Sequence, residues 1–241
     1  MSHVAFPLEP FVDTRTPRIW PLYLPEALLM FGIPTALLAL GVWVVWPALM
    51  TAGMSRGYAN AAVFIVFSSL LIVAALVAYV LEGNPLTWSA FSVRYRLQMP
   101  GWRTWLWTLG GLLVAVVAAL GLNALILALY KAIGFTIPDQ SSGLTDIPVL
   151  TLIVLTNIIG EEMWWRGYIL PRQELVYGSR TWLVHGVMWA FFHSFKPWAV
   201  PVMLLYCLII PFIAQCTRNN WPPVIIHFLI NGSGILMLLL S

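Results

Sequence analysis

Charge is what this chain has least of. Only 9% of its residues are Asp, Glu, Lys or Arg, against about 25% in a soluble domain. That shortage excludes a water-facing globular surface. A net charge of +3, thinly spread, also excludes the basic footprint of a nucleic-acid binder. Cysteine is nearly missing. Cys207 and Cys216 stand alone without CxxC spacing, which excludes a disulfide framework and a thiolate zinc motif; both read as small core residues. There is no HExxH helix, internal repeat, linker or low-complexity tract. Residues 1–25 lack a signal-peptide pattern and instead carry Pro7, Pro10, Pro17, Pro21 and Pro25 among mixed charges. They read as a cytoplasmic or interfacial arm, anchored by Trp20 and Tyr23.

What the chain has in abundance is hydrocarbon. It is 61% hydrophobic and holds 13 tryptophans, a residue that favours the membrane–water boundary. A membrane-spanning helix needs about 20 apolar residues. Seven segments qualify or nearly do: 26–50, 59–81, 104–130, 147–170, 181–196, 199–216 and 222–240. The expected fold is an all-α, polytopic membrane helix bundle of about seven transmembrane helices (six to eight), forming one domain over 26–241. The fifth and sixth segments are short, and Lys196-Pro197 between them leaves open one broken element.

Orientation follows from the short loops. An inside N-terminus places Arg15, Arg18, Arg94, Arg96, Arg103, Arg166, Arg172, Arg180 and Arg218 on the inner side. Arg56, Lys131 and Lys196 fall outside, beside Asp139 and Asp146. The expected location is a cell membrane, multi-pass, of the prokaryotic plasma-membrane kind, with a cytoplasmic N-terminus. Pro34, Pro47 and Pro211 read as kinks, and Asn123, alone in its helix, as an interhelical hydrogen bonder.

Against this background Glu161, Glu162 and Arg166 stand out. Ionisable residues at membrane depth are costly and mark function by default. On a helix, residues four apart share a face, so Glu162 can pair with Arg166. Glu161 then points elsewhere, free to exchange a proton, with Asn157 one turn earlier able to orient it. The bland alternative is a structural ion-pair knot. His193 ends Trp189-Ala190-Phe191-Phe192-His193. His185, two turns earlier, reads as interfacial. In the last segment, His227 and Asn231 share one face of an otherwise apolar helix.

These residues resemble the motifs of the CAAX protease and bacteriocin-processing family of intramembrane proteases (CPBP, also called ABI). EExxxR stands as Glu161-Glu162-Met163-Trp164-Trp165-Arg166 followed by Gly167. FxxxH appears with Trp189 for the phenylalanine and ends at His193, and HxxxN runs from His227 to Asn231. The resemblance covers roughly 147–235 as a catalytic core. It implies an intramembrane endopeptidase acting on a membrane-associated peptide or protein, in contact with the bilayer and not with nucleic acid. Glu161 and His193 would activate water, His227 and Asn231 would stabilise the oxyanion, and Glu162–Arg166 would be the supporting ion pair. The preferred reading has no cofactor. The alternative is a divalent metal, zinc, held by Glu161, His193 and His227.

Two other functions compete: a non-catalytic membrane scaffold or immunity/regulatory factor, and a proton-coupled transporter. Helix depth raises a geometric question as well. At 1.5 Å per residue, His193 lies about 18–20 Å from the inner helix end, whereas Glu161 lies about 13 Å and His227 about 8 Å from theirs.

Overall fold

The computed structural model describes residues 19–138 and 143–240. Most of the arm expected at 1–25, including Arg15 and Arg18, lies outside the described residues, as does Asp139. Among the described residues every regular element is helical. The chain builds α1 (Leu24–Leu40), a π-helical turn (Gly41–Val45) and α2 (Trp46–Thr51) as its first crossing. Then come α3 (Arg56–Leu81), the short α4 (Trp88–Arg94) and α5 (Trp102–Ala132). A long hairpin follows: α6 (Ile147–Glu161), a π-helix (Glu162–Ile169) and α7 (Leu170–Tyr177) run one way, and α8 (Thr181–Phe192) returns. The chain closes with α9 (Val200–Thr217) and α10 (Trp221–Leu240).

Among the described residues, five stretches are long and apolar enough to cross a membrane: Leu24–Thr51, Arg56–Leu81, Trp102–Ala132, Ile147–Phe195 and Pro197–Thr217. The fourth holds both arms of the hairpin; counting each arm and α10, the bundle has about seven long helical segments. The protein is a multi-pass membrane protein. Its outer surface is lined by exposed Leu, Val and Trp side chains. Water would penalise such a surface, but lipid solvates it. The short α4, which the hydropathy pattern did not suggest, caps one end of the bundle. Between α8 and α9 the chain makes two single 3-10 turns, His193–Phe195 and Pro197–Ala199, so the fifth and sixth segments are separate helices.

Proline explains the irregular backbone. Pro47 has no N–H to give to the preceding turn, and the π-helical turn lies just before it. Pro211, inside α9, leaves the carbonyl of Cys207 without its helical donor. At that carbonyl α8 comes closest: a Cβ on Gly186 would lie 2.4 Å from the Cys207 oxygen. Only glycine permits that approach, which seats α8 directly against α9.

Candidate active site

The EExxxR stretch bridges α6 and the π-helix, an irregularity that recurs at functional sites. The i→i+5 pattern is seen directly, since the N–H of Leu170 bonds to the carbonyl of Trp165. Pro171 sits just beyond and has no N–H to offer the Gly167 carbonyl. Arg94 supplies the missing donor, its Nη1 lying 2.8 Å from that oxygen. Arg172 Nη1 takes the Tyr168 carbonyl at 2.7 Å, and Asn220 Nδ2 donates to the Glu162 carbonyl at 3.0 Å. Glycines frame the motif for steric reasons. A Cβ on Gly160 would meet the Ser68 carbonyl at 2.5 Å, and one on Gly167 would meet the Tyr95 ring at 2.2 Å.

The side chains of all three motifs meet. Glu161 is buried, and both its oxygens accept hydrogen bonds: Oε1 from Asn157 Nδ2 at 2.8 Å, Oε2 from the Trp189 indole Nε1 at 2.9 Å. His193 donates from Nδ1 to the Trp189 carbonyl at 2.8 Å, and the Cys207 sulfur lies 3.9 Å from the same nitrogen. His227 donates from Nδ1 to Glu162 Oε1 at 2.7 Å. Asn231 Nδ2 donates to Asn157 Oδ1 at 3.1 Å, at the surface of the bundle between α6 and α10. In both His193 and His227 the Nδ1 is thus engaged, which leaves Nε2 as the nitrogen for chemistry.

Arg166 is the unusual member. Its Nη1 is 3.2 Å from Glu162 Oε1, and its guanidinium lies over the Trp189 ring, 3.4 Å from the centroid. The side chain is 1% exposed, yet none of its nitrogens forms a well-aligned hydrogen bond, and Glu162 Oε2 is unpartnered too. Buried polar atoms are normally satisfied. So many orphans in one place mark a region arranged for something other than folding.

The helix-depth question is resolved by how the helices start. Asn220, just before α10, bonds to the Glu162 backbone, so α10 begins level with the motif. The first part of α8 lies beside α7, where Thr181 bonds to the Gln173 carbonyl and His185 Nδ1 to Gln173 Oε1 at 2.7 Å. The α7–α8 turn therefore extends past the start of α10, and equal distances along the helices do not mean equal depth. His185, read from sequence as interfacial, is instead fully buried, and Phe31 packs edge-on against it.

Two features were not apparent from the motifs. The first is the indole N–H of Trp189 on Glu161, a bond that phenylalanine cannot make. The second is a cluster at the end of the bundle. Glu82 accepts from Arg94 Nε at 2.7 Å and Nη2 at 2.8 Å, from Asn84 at 2.9 Å, and from Arg172. Burial pushes the Glu82 carboxyl up, but the hydrogen bonds and charges of Arg94 and Arg172 outweigh it and hold the group below the usual range. The signal was available in part: a glutamate directly after an apolar run, with Pro171 inside the motif helix needing a donor.

The donor set can be tested against a metal. Among the described residues no three His, Cys, Asp or Glu side chains are grouped as metal ligands. Glu161 already takes an N–H on each oxygen, and His227 has its Nδ1 on Glu162. The Nε2 atoms of His193 and His227 stay open, and a bond such as His227 Nδ1–Glu162 is also the kind that orients a ligating imidazole through its other nitrogen.

Residues 143–233 match the family model described as Rce1-like, type II CAAX prenyl endopeptidase. The match is to the CPBP family. It spans α6 to α10 and contains every side chain of the cluster just described except those of Glu82, Asn84 and Arg94. Over that segment, less than half of the chain, the protein is similar to CAAX-type intramembrane proteases. No curated protein and no solved structure matches the chain.

Proposed function

We propose that this protein is an endopeptidase that hydrolyses a peptide bond within or at the edge of the membrane, with Glu161 as the general base. The observation that carries the reading is the hydrogen-bonded chain joining the three motifs: His227–Glu162, Trp189–Glu161, Glu161–Asn157 and Asn157–Asn231. A charge cluster that only held helices together would satisfy its own donors; this one leaves the arginine and two imidazole Nε2 atoms to spare.

Water held between Glu161 and His193 gives up its proton to the carboxylate as its oxygen attacks the substrate carbonyl; the tetrahedral intermediate then collapses, the C–N bond breaks, and Glu161 returns that proton to the departing amine. The His193 Nδ1–H bond to the Trp189 carbonyl fixes the tautomer and leaves the Nε2 lone pair to orient that water. The oxyanion develops toward the Asn231 amide and toward His227, which donates to it from Nε2 with a proton on both ring nitrogens, its Nδ1–H backed by Glu162 as a carboxylate backs an imidazole in other hydrolases. Arg166 stabilises Glu162 and, through the face of Trp189, the position of the indole. No metal takes part in this scheme. The substrate is a membrane-associated peptide or protein, and the exposed Asn157–Asn231 pair faces the lipid side from which such a chain would arrive. With the N-terminus inside, the cut falls near the inner face of a plasma membrane.

The test is cleavage of candidate membrane peptides by purified Glu161→Gln protein with a chelator control on the wild type. General-base loss should lower the rate by about 10²–10⁴, with the thermal midpoint nearly unchanged and the chelator without effect. Full cleavage by the variant would reject Glu161 as the base. Chelator inhibition restored by zinc would reject the metal-free scheme.

A further inference from the structure

The helix that the site does not use carries its own signal. Over its 31 residues α5 buries only Thr108, Gly111 and Ala115 among those whose burial is described. That narrow stripe packs on α9 and α10, with Gly111 fitted against Ile213 and Ile226. On another side of the helix, about 130° round at 100° per residue, runs a second stripe. It consists of Leu109, Leu113, Val116, Leu120, Asn123 and Leu127, spaced alternately four and three apart. All six are exposed, Leu113 at 65% and Leu120 at 70%. This is the a/d repeat of a coiled-coil seam.

Lipid alone accounts for exposed leucine, but not for Asn123. At 1.5 Å per residue the asparagine lies about 13 Å inside the Ala132 end of α5, within the hydrocarbon. Nothing in the described chain donates to its carboxamide or accepts from it. Expected from sequence to bond between helices, it faces outward, away from every helix of its own bundle. A carboxamide is donor and acceptor at once, so another carboxamide at the same depth completes it. Copies of one membrane protein are inserted in the same orientation, and a two-fold axis along the membrane normal brings identical depths together. A single polar residue at an a/d position also fixes register and partner.

We propose that this protein pairs with a second copy of itself through α5, with Asn123 opposite Asn123 at the centre of a parallel, left-handed seam. The site residues lie on other helices, so the dimer is independent of the reading of Glu161.

The experiment is disulfide scanning of the full chain in its membrane. The background carries Cys216→Ser; Cys207 is fully buried and stays. Single cysteines are placed at Leu113, Val116, Leu120, Asn123 and Leu127, and at the off-seam controls Val114 and Leu125. Because a disulfide needs Cβ atoms roughly 4 Å apart, oxidation should give about tenfold more dimer at seam positions than at controls. Without cysteines, Asn123→Leu should weaken association about three- to tenfold, and Asn123→Gln should restore it. Products equally abundant at seam and control positions, no dimer at any position, or a cross-link to a different protein would each overturn the proposal. Dimer unaffected by Asn123→Leu would overturn the role of the asparagine.

Discussion

Glu82 and Glu162 each meet arginine, but on different terms. At the end of the bundle Glu82 is saturated: it receives a forked pair from Arg94, another donor from Arg172 and an amide from Asn84. The remaining donors of those arginines close the carbonyls of Gly167 and Tyr168. Inside the bundle Glu162 has one oxygen shared by His227 and Arg166 and one oxygen with no partner, and Arg166 lacks an aligned hydrogen bond. The first cluster spends its bonding capacity on the backbone. The second holds capacity back. The difference separates a group that keeps the π-helix in place from the group that the proposed mechanism uses, and it ties them together, since Arg94 supplies the donor that Pro171 lacks.

That contrast can be broken most sharply at Arg94. Removing one partner of a buried, hydrogen-bonded ion pair costs about 3–5 kcal/mol, so Arg94→Met should show a large loss of stability in reversible denaturation. Its remaining folded fraction should still cleave. Loss of cleavage with unchanged stability would put Arg94 in the chemistry and erase the distinction.

Trp189→Phe comes next. It removes the indole N–H from Glu161 while keeping an aromatic face for Arg166. A hydrogen bond to a charged group contributes about 1.5–3 kcal/mol, so kcat should fall about ten- to a hundredfold, with KM and the unfolding midpoint little changed. An unaltered kcat would show that the bond positions nothing.

The smallest effect is in pH. The arginines hold the folded Glu82 carboxyl below its ordinary value, so its stabilisation is fully present above that ordinary value and is lost as pH falls through the folded one. The thermal midpoint of the wild type should therefore drop more steeply than that of Glu82→Gln as pH falls below about 5. Parallel curves would mean that the arginines do not hold Glu82 as described.

Much of the fold was legible because it is local. Hydrophobic runs of the right length gave the crossing helices, and the structure differs mainly at ends and interruptions, where Pro47, Pro171 and Pro211 act. The candidate site was legible as a set of residues but not as a set of bonds. Spacing along one helix suggested that Asn157 could reach Glu161 and Glu162 could reach Arg166, four residues away in each case. It said nothing of Trp189 reaching Glu161 from 28 residues off, His227 reaching Glu162 from 65, or Asn231 reaching Asn157 from 74. His185 was misjudged for the same reason, because its burial depends on α1 and α7.

What the sequence by itself determined is solvent and inventory. Its missing charge requires a membrane, its apolar runs require helices, and three short motifs name the polar groups that lipid would reject. Only the tertiary structure decided how those groups divide. Helix periodicity fixes which side chains share a face, whereas hydrogen-bond partners across the bundle depend on where each helix begins, where proline frees a carbonyl, and where glycine lets backbones touch. Those choices placed Arg94 on the backbone and left Arg166 without hydrogen bonds beside Glu162. They also turned Asn123 outward, to a surface where its own bundle offers it no partner.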